Sequence, residues 1–213
     1  MATGWSVGCM TKRYAPATER NRDAILTVLQ TSLPATGTVL EVSAGTGQHA
    51  AFFAPRLAPR WWLPTDVDAA NLASINAWRE EADTANLLPP QYLDVMDALW
   101  PVEASVLPEP VSAVVNINMI HIAPWECCAA LFDGAARVVN SDATVLLYGP
   151  FKRGGSHTAP SNAAFDQQLR AQDARWGVRD LEAVIDVAEI RGFDCRSIIP
   201  MPANNLIAAF IRA

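Results

Sequence analysis

A chain of 213 residues that is 51% apolar and only 18% charged carries enough apolar surface for one sizeable core, which excludes a disordered chain and argues for a single domain over 1–213. A net charge of −6, from 16 basic and 22 acidic side chains, argues against nucleic acid as a partner, because phosphate-backbone binding rests on clustered Lys and Arg. No run of about 18 apolar residues occurs, so no membrane span is expected.

Taken in chain order, Thr18 to Ser32 carries an apolar stripe of Ile25, Leu26, Val28 and Leu29 and precedes Pro34, which reads as a helix. Residues 1–35 form an N-terminal lid and helix segment ahead of a core over 36–213. Thr38 to Val42 is a short β-rich run that breaks into Ser43-Ala44-Gly45-Thr46-Gly47, after which Gln48 to Leu57 has helical spacing and stops before Pro59. A second strand, Trp61 to Thr65, ends at Asp66, and a helix follows from about Asp68 to Ala85 with Leu72, Ile75 and Trp78 on one face. Tyr92 to Val95 is a brief third strand or its end, and Pro101, Pro108 and Pro110 punctuate the connection beyond it. Val111 to Ile117, short and β-branched, reads as a buried strand, and a helix with Pro124 in its first turn runs to about Val139. A fifth strand covers Ala143 to Tyr148. Lys152 to Ser161 reads as a loop, with two short helices beyond it at about Ala163–Ala174 and Asp180–Arg191.

Phe193 to Ile199 and Leu206 to Ile211 close the chain as a strand pair. Their connection is too short for a parallel crossover, so they pair antiparallel at one edge. The alternation before them implies a parallel sheet with helices on both faces. The expected fold is therefore α/β and Rossmann-like: a mostly parallel, seven-stranded sheet with an antiparallel last strand.

The glycine loop between the first strand and its helix lets the backbone approach a ligand closely, and the helix start offers unpaired N–H groups. Gly45-Thr46-Gly47-Gln48-His49-Ala50 also fits the dinucleotide pattern G-x-G-x-x-A, so the loop alone leaves an NAD(P)-dependent oxidoreductase open. Glu41 at the end of the first strand tilts the reading: a carboxylate there repels a pyrophosphate and complements the ammonium or sulfonium of S-adenosyl-L-methionine. Asp66 is placed to accept the ribose hydroxyls, or to cap the next helix. Asp94, with Val95, is placed to take an adenine amino group, or to serve a turn.

At this point the chain resembles a methyltransferase-like family of unknown function, of DUF938 type, within the class I S-adenosylmethionine-dependent methyltransferases. The resemblance lies in Arg13-Tyr14-Ala15-Pro16-Ala17-Thr18-Glu19-Arg20-Asn21-Arg22-Asp23, Gly45-Thr46-Gly47-Gln48-His49, Asn118-Met119-Ile120-His121-Ile122 and Tyr148-Gly149-Pro150-Phe151. It continues through Trp176-Gly177-Val178-Arg179-Asp180-Leu181-Glu182 and Met201-Pro202-Ala203-Asn204-Asn205-Leu206, nearly the whole chain from Arg13 onward. It implies S-adenosyl-L-methionine as cofactor and leaves the acceptor unspecified. Ser43 departs from the superfamily loop E-x-G-x-G-x-G at its first glycine.

Methyl transfer from a sulfonium is an in-line displacement that asks mainly for alignment, with a base where the acceptor bears a proton. His121, after the fourth strand, is the base candidate or else orders its loop, and Asn116 and Asn118 stand near it to bond cofactor or substrate. Arg13 and Tyr14, with Asn21, are expected to fold over the crevice and meet the cofactor, Tyr14 also as a catalytic candidate. His157 and Asn204 are expected at a substrate, unless they are loop residues. The acidic balance and the absence of a recognition domain favour a small-molecule acceptor; an oligomer, such as a homodimer, is left open. A non-catalytic cofactor-binding or scaffold protein is the remaining alternative.

Three histidines lacking ligand spacing imply no metal site. Four cysteines without a C-x-x-C pair (Cys9, Cys127, Cys128 and Cys195) imply reduced thiols and a cytoplasmic setting. The start of the chain lacks the apolar stretch of a signal peptide.

Overall fold

The computed structural model describes residues 12–213, so Cys9 and the 1–11 part of the expected lid segment lie outside the described residues. Helix α1 (Pro16–Ser32) opens on a proline, whose fixed φ suits a first turn, and buries Ile25, Val28 and Leu29. There follow β1 (Thr38–Val42), α2 (Gln48–Phe53), β2 (Trp61–Asp66), α3 (Ala69–Ala82), β3 (Gln91–Tyr92) and β4 (Val111–Ile117). After them come α4 (Glu126–Val138), β5 (Thr144–Gly149), β6 (Lys152–Arg153), β7 (Ser156–His157), α5 (Pro160–Gln172), α6 (Leu181–Glu189), β8 (Phe193–Met201) and β9 (Asn205–Arg212).

Seven strands form one sheet in the order β3-β2-β1-β4-β5-β9-β8. β1 to β5 run parallel, and β9 pairs antiparallel with both β5 and β8. The architecture is Rossmann-like, as expected. The last strand is antiparallel but inserted, so β8 rather than β9 forms the edge.

Because both faces are covered, β1 and β5 are buried along their whole length, and they are mostly apolar, with Thr38 and Glu41 the polar residues of β1 and Thr144 that of β5. The period of two sends Leu40, Val42, Val114, Val145 and Leu147 to a core shared with α4 and α6. Val39, Trp62, Ala113, Val115 and Leu146 pack on the other face against Ile25 and Leu29 of α1 and Phe53 of α2. Cys127 and Cys128 are free thiols in the first of these cores, and burial pushes the Cys128 thiol up to about 12.

Some boundaries move. The third strand is Gln91–Tyr92 rather than Tyr92 to Val95, because Asp94 folds its carboxylate onto the Met96 N–H in a turn. Helix α3 stops at Ala82, short of Ala85, where Asp83 takes a left-handed conformation (φ 42°) as C-cap. The segment expected as a loop after β5 contains the β6–β7 hairpin, turned by Gly154 and Gly155 with φ of 55° and 76°.

The closing hairpin is fastened to the sheet by aromatic packing. The Phe132 ring of α4 lies 5.4 Å from that of Phe193 and 5.2 Å from that of Phe210, all three fully buried. Phe132→Ala is expected to lower unfolding free energy by about 3–5 kcal/mol in a denaturant titration, the ordinary cost of deleting a buried ring. A loss under about 1 kcal/mol would show that the hairpin is held by its ladders alone.

Candidate active site

In this strand order the chain leaves β1 in one direction and returns through β4 on the other side, so the loops after β1 and β4 diverge and leave a crevice at the carboxyl ends of the strands. A cleft of about 350 Å³ occupies it. Ser43, Gly45, Asp66, Asp94 and Val95 line it together, as the sequence led us to expect. The floor adds Leu93, Met119, Ile122 and Cys127, apolar side chains from the ends of β3 and β4 and from the start of α4.

The loop is held by hydrogen bonds of two kinds. The backbone Ala44 N–H donates to the Thr65 carbonyl at 2.8 Å. The Gly45 N–H donates to Asp66 Oδ2 at 2.9 Å, while Asp66 Oδ1 accepts from the Asp68 N–H at 2.9 Å and from the Asn71 amide at 3.1 Å. The helix cap is Asp68, which accepts from the Ala70 N–H, so the alternative of Asp66 as a cap is not what the geometry shows. A side chain at Gly47 would bring its Cβ within 2.7 Å of Ile75 Cα, so the glycine permits α2 to start against α3. A Cβ at Gly45 would meet nothing within 4 Å, because that side faces the open cleft. Ser43 replaces a glycine yet holds the left-handed conformation the loop needs, at φ 58°. Thr46 turns away: its hydroxyl donates to Gln48 and its carbonyl accepts from Ser74.

Two expected cofactor residues sit beneath this surface. Glu41 is 1% exposed; its Oε2 accepts from the Trp62 indole N–H at 2.7 Å and its Oε1 has no partner. Burial, with a smaller contribution from the Asp66 charge, pushes its carboxyl up to about 8, against the Trp62 hydrogen bond that lowers it. Asn116 is buried, donating its amide to the Val42 carbonyl at 3.0 Å, and its Oδ1 is also unpartnered.

Arg13 and Tyr14, expected to fold over the crevice, lie on its rim. Arg13 Nη1 bonds Asp68 at 2.9 Å and Asn71 at 2.7 Å, its N–H donates to Ser74, and its carbonyl accepts from Trp78. Arg13 thus grips residues that line the cleft without lining it. Tyr14 is 54% exposed and lines neither this cleft nor the second cavity described below; its hydrogen bond to Glu19 pushes its ionisation upward. This placement does not give it a catalytic contact.

His121 is a correction. It is fully buried, its Nδ1 accepts from the Arg179 N–H at 3.3 Å, and its ring meets Phe151 edge-on at 5.0 Å. Burial drives its pKa down to about 3, with Arg179 adding to the effect. It lines neither the cleft nor the second cavity described below, so it has no path to an acceptor proton. His157 is a second correction: it belongs to the β6–β7 hairpin, where Nε2 lies 3.5 Å from the Asp166 carboxylate, and lines neither cavity.

A second cavity, of about 680 Å³, opens beside the first. Asn21, Asn118 and Asn204 line it, joined by Arg20 of α1, Tyr148 of β5 and Phe165 of α5. Asn118, at φ 68°, faces this cavity, whereas its neighbours Ile117 and Met119 face the cleft. The sequence reading missed Arg20, Tyr148 and Phe165. Only Arg20 left a local signal, at helical spacing from Ala17 and next to Asn21 on the first turns of α1. Among the described residues no group of three or more His, Cys, Asp or Glu side chains is gathered for a metal ion, and no helix is long and apolar enough to cross a membrane.

The family described as "Protein of unknown function (DUF938)" matches residues 12–212. Among solved structures the chain is similar to the S-adenosylmethionine-dependent methyltransferase SibL in its apo form (TM-score 0.74, 16% identity, 92% of this chain and 55% of that one). It is also similar to an O-methyltransferase family 2 protein from Planctomyces limnophilus in complex with apigenin (TM-score 0.71, 15% identity, 90% and 62%). A third is CalO1, a methyltransferase in calicheamicin biosynthesis, in its SAH-bound form (TM-score 0.66, 16% identity, 89% and 54%). At these identities the likeness is one of fold, and the chain spans 54–62% of the length of those proteins.

Glu41 sets a pH dependence. Its folded pKa of about 8 lies above the ordinary 4.5, so the folded state holds the extra proton and stability is lost as pH rises through that window. His49 and His121, lowered to about 4 and about 3, act below pH 6.5, where they add stability as pH rises. Between pH 6.5 and 8, therefore, the protein is expected to lose on the order of 2 kcal/mol, and Glu41→Gln to flatten that loss. Denaturant midpoints at the two pH values check it; equal slopes in both proteins would place Glu41 in a more polar setting.

Proposed function

We propose that this chain, which belongs to the DUF938 family, transfers a methyl group from S-adenosyl-L-methionine to a small-molecule acceptor. The observation that carries the reading is the charge of the cleft: Asp66, Asp68 and Asp94 line it, no Lys or Arg does, and of the three only Asp68 is paired with a cation among the described residues, Arg13 on the rim. Such a lining opposes a pyrophosphate and complements a cationic ligand with donor groups on its sugar and base. The inserted antiparallel β9 also departs from the 3-2-1-4-5-6 strand order of dinucleotide-binding folds, which weighs against the nicotinamide reading.

The residues fit the cofactor. Asp66 is placed for ribose hydroxyls, Asp94 for an adenine amino group, Leu93, Met119 and Ile122 for the base, and the open side of Gly45 leaves room for the chain beyond it. When bound, the cofactor supplies a methyl carbon made electrophilic by its sulfonium. The acceptor occupies the second cavity, and the Ile117-Asn118-Met119 segment forms the wall between the two sites. No His, Asp or Glu lines that cavity, and burial pushes the Tyr148 phenol up, so it stays protonated and donates. The protein therefore acts by holding and aligning the acceptor rather than by removing a proton, a contribution that can supply several kcal/mol of the barrier.

Calorimetric titration with S-adenosyl-L-methionine, and separately with its demethylated product, tests the reading. Micromolar binding is expected, weakened in Asp66→Asn by on the order of 1.5–3 kcal/mol. Binding of nicotinamide dinucleotides with neither sulfur compound bound would overturn it.

A further inference from the structure

The second cavity has a chemical character of its own. Arg20 is the charged side chain among those lining it, no carboxylate faces it, and Arg20 forms no ion pair among the described residues. A guanidinium at a cavity mouth, with its donors uncommitted, matches carboxylate or phosphate oxygens in a forked geometry.

Tyr148 adds a second donor, and its neighbour Asn21 is anchored from the core. His49 Nε2 lies 2.8 Å from Asn21 Oδ1, which only accepts, so the imidazole donates. Tyr148 lines the same cavity as Asn21, and burial raises its ionisation, so the phenol stays protonated and able to donate. His49 is itself fixed, stacked on Phe53 at 5.2 Å. The His49–Asn21 pair thus ties α2 to α1 at the cavity wall. Phe165, Pro150 and Pro202 supply apolar walls for the rest of a ligand. The absence of a base from this lining has a complement: an acceptor that is already an anion at neutral pH needs none.

We infer that the second cavity takes a small-molecule acid, an apolar body bearing an anionic oxyacid group, with Arg20 pairing the acid and Tyr148 donating to it. The inference deepens the methyl-transfer reading by naming the acceptor class, and it rests on that reading only for the word acceptor.

The experiment is ligand-observed NMR on the full chain, saturated with the demethylated cofactor product, using matched probes: 2-naphthoate, 2-naphthyl phosphate and 2-naphthamide. At least one anion is expected to bind tenfold or more tightly than the amide, and which anion wins tells a carboxylate site from a phosphate site. Arg20→Gln should abolish the preference and Arg20→Lys restore part of it, both with unchanged thermal midpoint. Tyr148→Phe should weaken the anion while leaving the amide unmoved. Equal binding of the amide, no binding of either anion, or a preference that survives Arg20→Gln overturns the inference. Failure of the demethylated product to bind, with the anion preference intact, would instead sink the methyl-transfer reading and leave this one standing.

Discussion

The Asp66 carboxylate is shared between two loops that come from different strands. One oxygen takes the Gly45 N–H after β1, and the other takes the Asp68 N–H and the Asn71 amide at the start of α3. Hydrogen bonds to an ionised acceptor are roughly twice as strong as neutral ones, and here they replace a Cβ-mediated packing that a glycine loop cannot offer. Arg13 then clamps Asp68 and Asn71 from outside, and Ser74 holds the Thr46 carbonyl. The cleft is therefore shaped before any ligand enters, which removes an ordering cost from binding.

Stability is given up along the crest of the sheet and recovered below it. Glu41 Oε1, Asn116 Oδ1 and His121 Nε2 are buried without partners, each a loss of about 1–3 kcal/mol. Ser43 and Asn118, which are not glycines, hold left-handed backbone at φ 58° and 68°, at about 1–2 kcal/mol each. Four of these five residues lie at or just past the carboxyl ends of β1 and β4, and His121 lies a short turn beyond. A few residues down the same strands, Val39, Leu40, Ala113 and Val114 are fully buried and apolar. Among the described residues, three of the six buried side-chain atoms without a partner, and two of the six non-glycine residues at positive φ, are grouped at this end of the sheet.

How much of this was legible follows from which forces are local. β1 and β4 were read to the residue because each is a short stretch rich in β-branched residues with clear breaks, the glycine loop after Val42 and Pro110 before Val111. The spacing of Ser43, Gly45, Asp66 and Asp94 located the cleft, since parallel strands bring their ends to one edge whatever the helices do between them. The β6–β7 hairpin was missed although Gly154-Gly155 is a hairpin signal, because strands of two residues leave no alternation to read. His121 was misjudged for a different reason. Its neighbours in sequence place it beside the cleft, but its burial is imposed by Phe151 and Arg179, which lie far along the chain. The second cavity drew its walls from α1, β5, α5 and the loop before β9, a convergence that no local pattern announces.

The three consecutive residues Ile117, Asn118 and Met119 face alternately into two cavities. A single stretch of backbone is thus the partition between them, held where the Asn118 N–H donates to the Tyr148 carbonyl at 2.9 Å and where the Asn118 carbonyl accepts from the His121 N–H at 3.0 Å. Whatever an occupant on one side does to stiffen or displace this partition is transmitted to the other over the width of one peptide. Thermodynamic linkage makes that influence symmetric, so an occupant of the cleft alters affinity in the neighbouring cavity by the same factor as the reverse. For two ligands on the two sides of this partition, an affinity at one is therefore to be read with the state of the other specified.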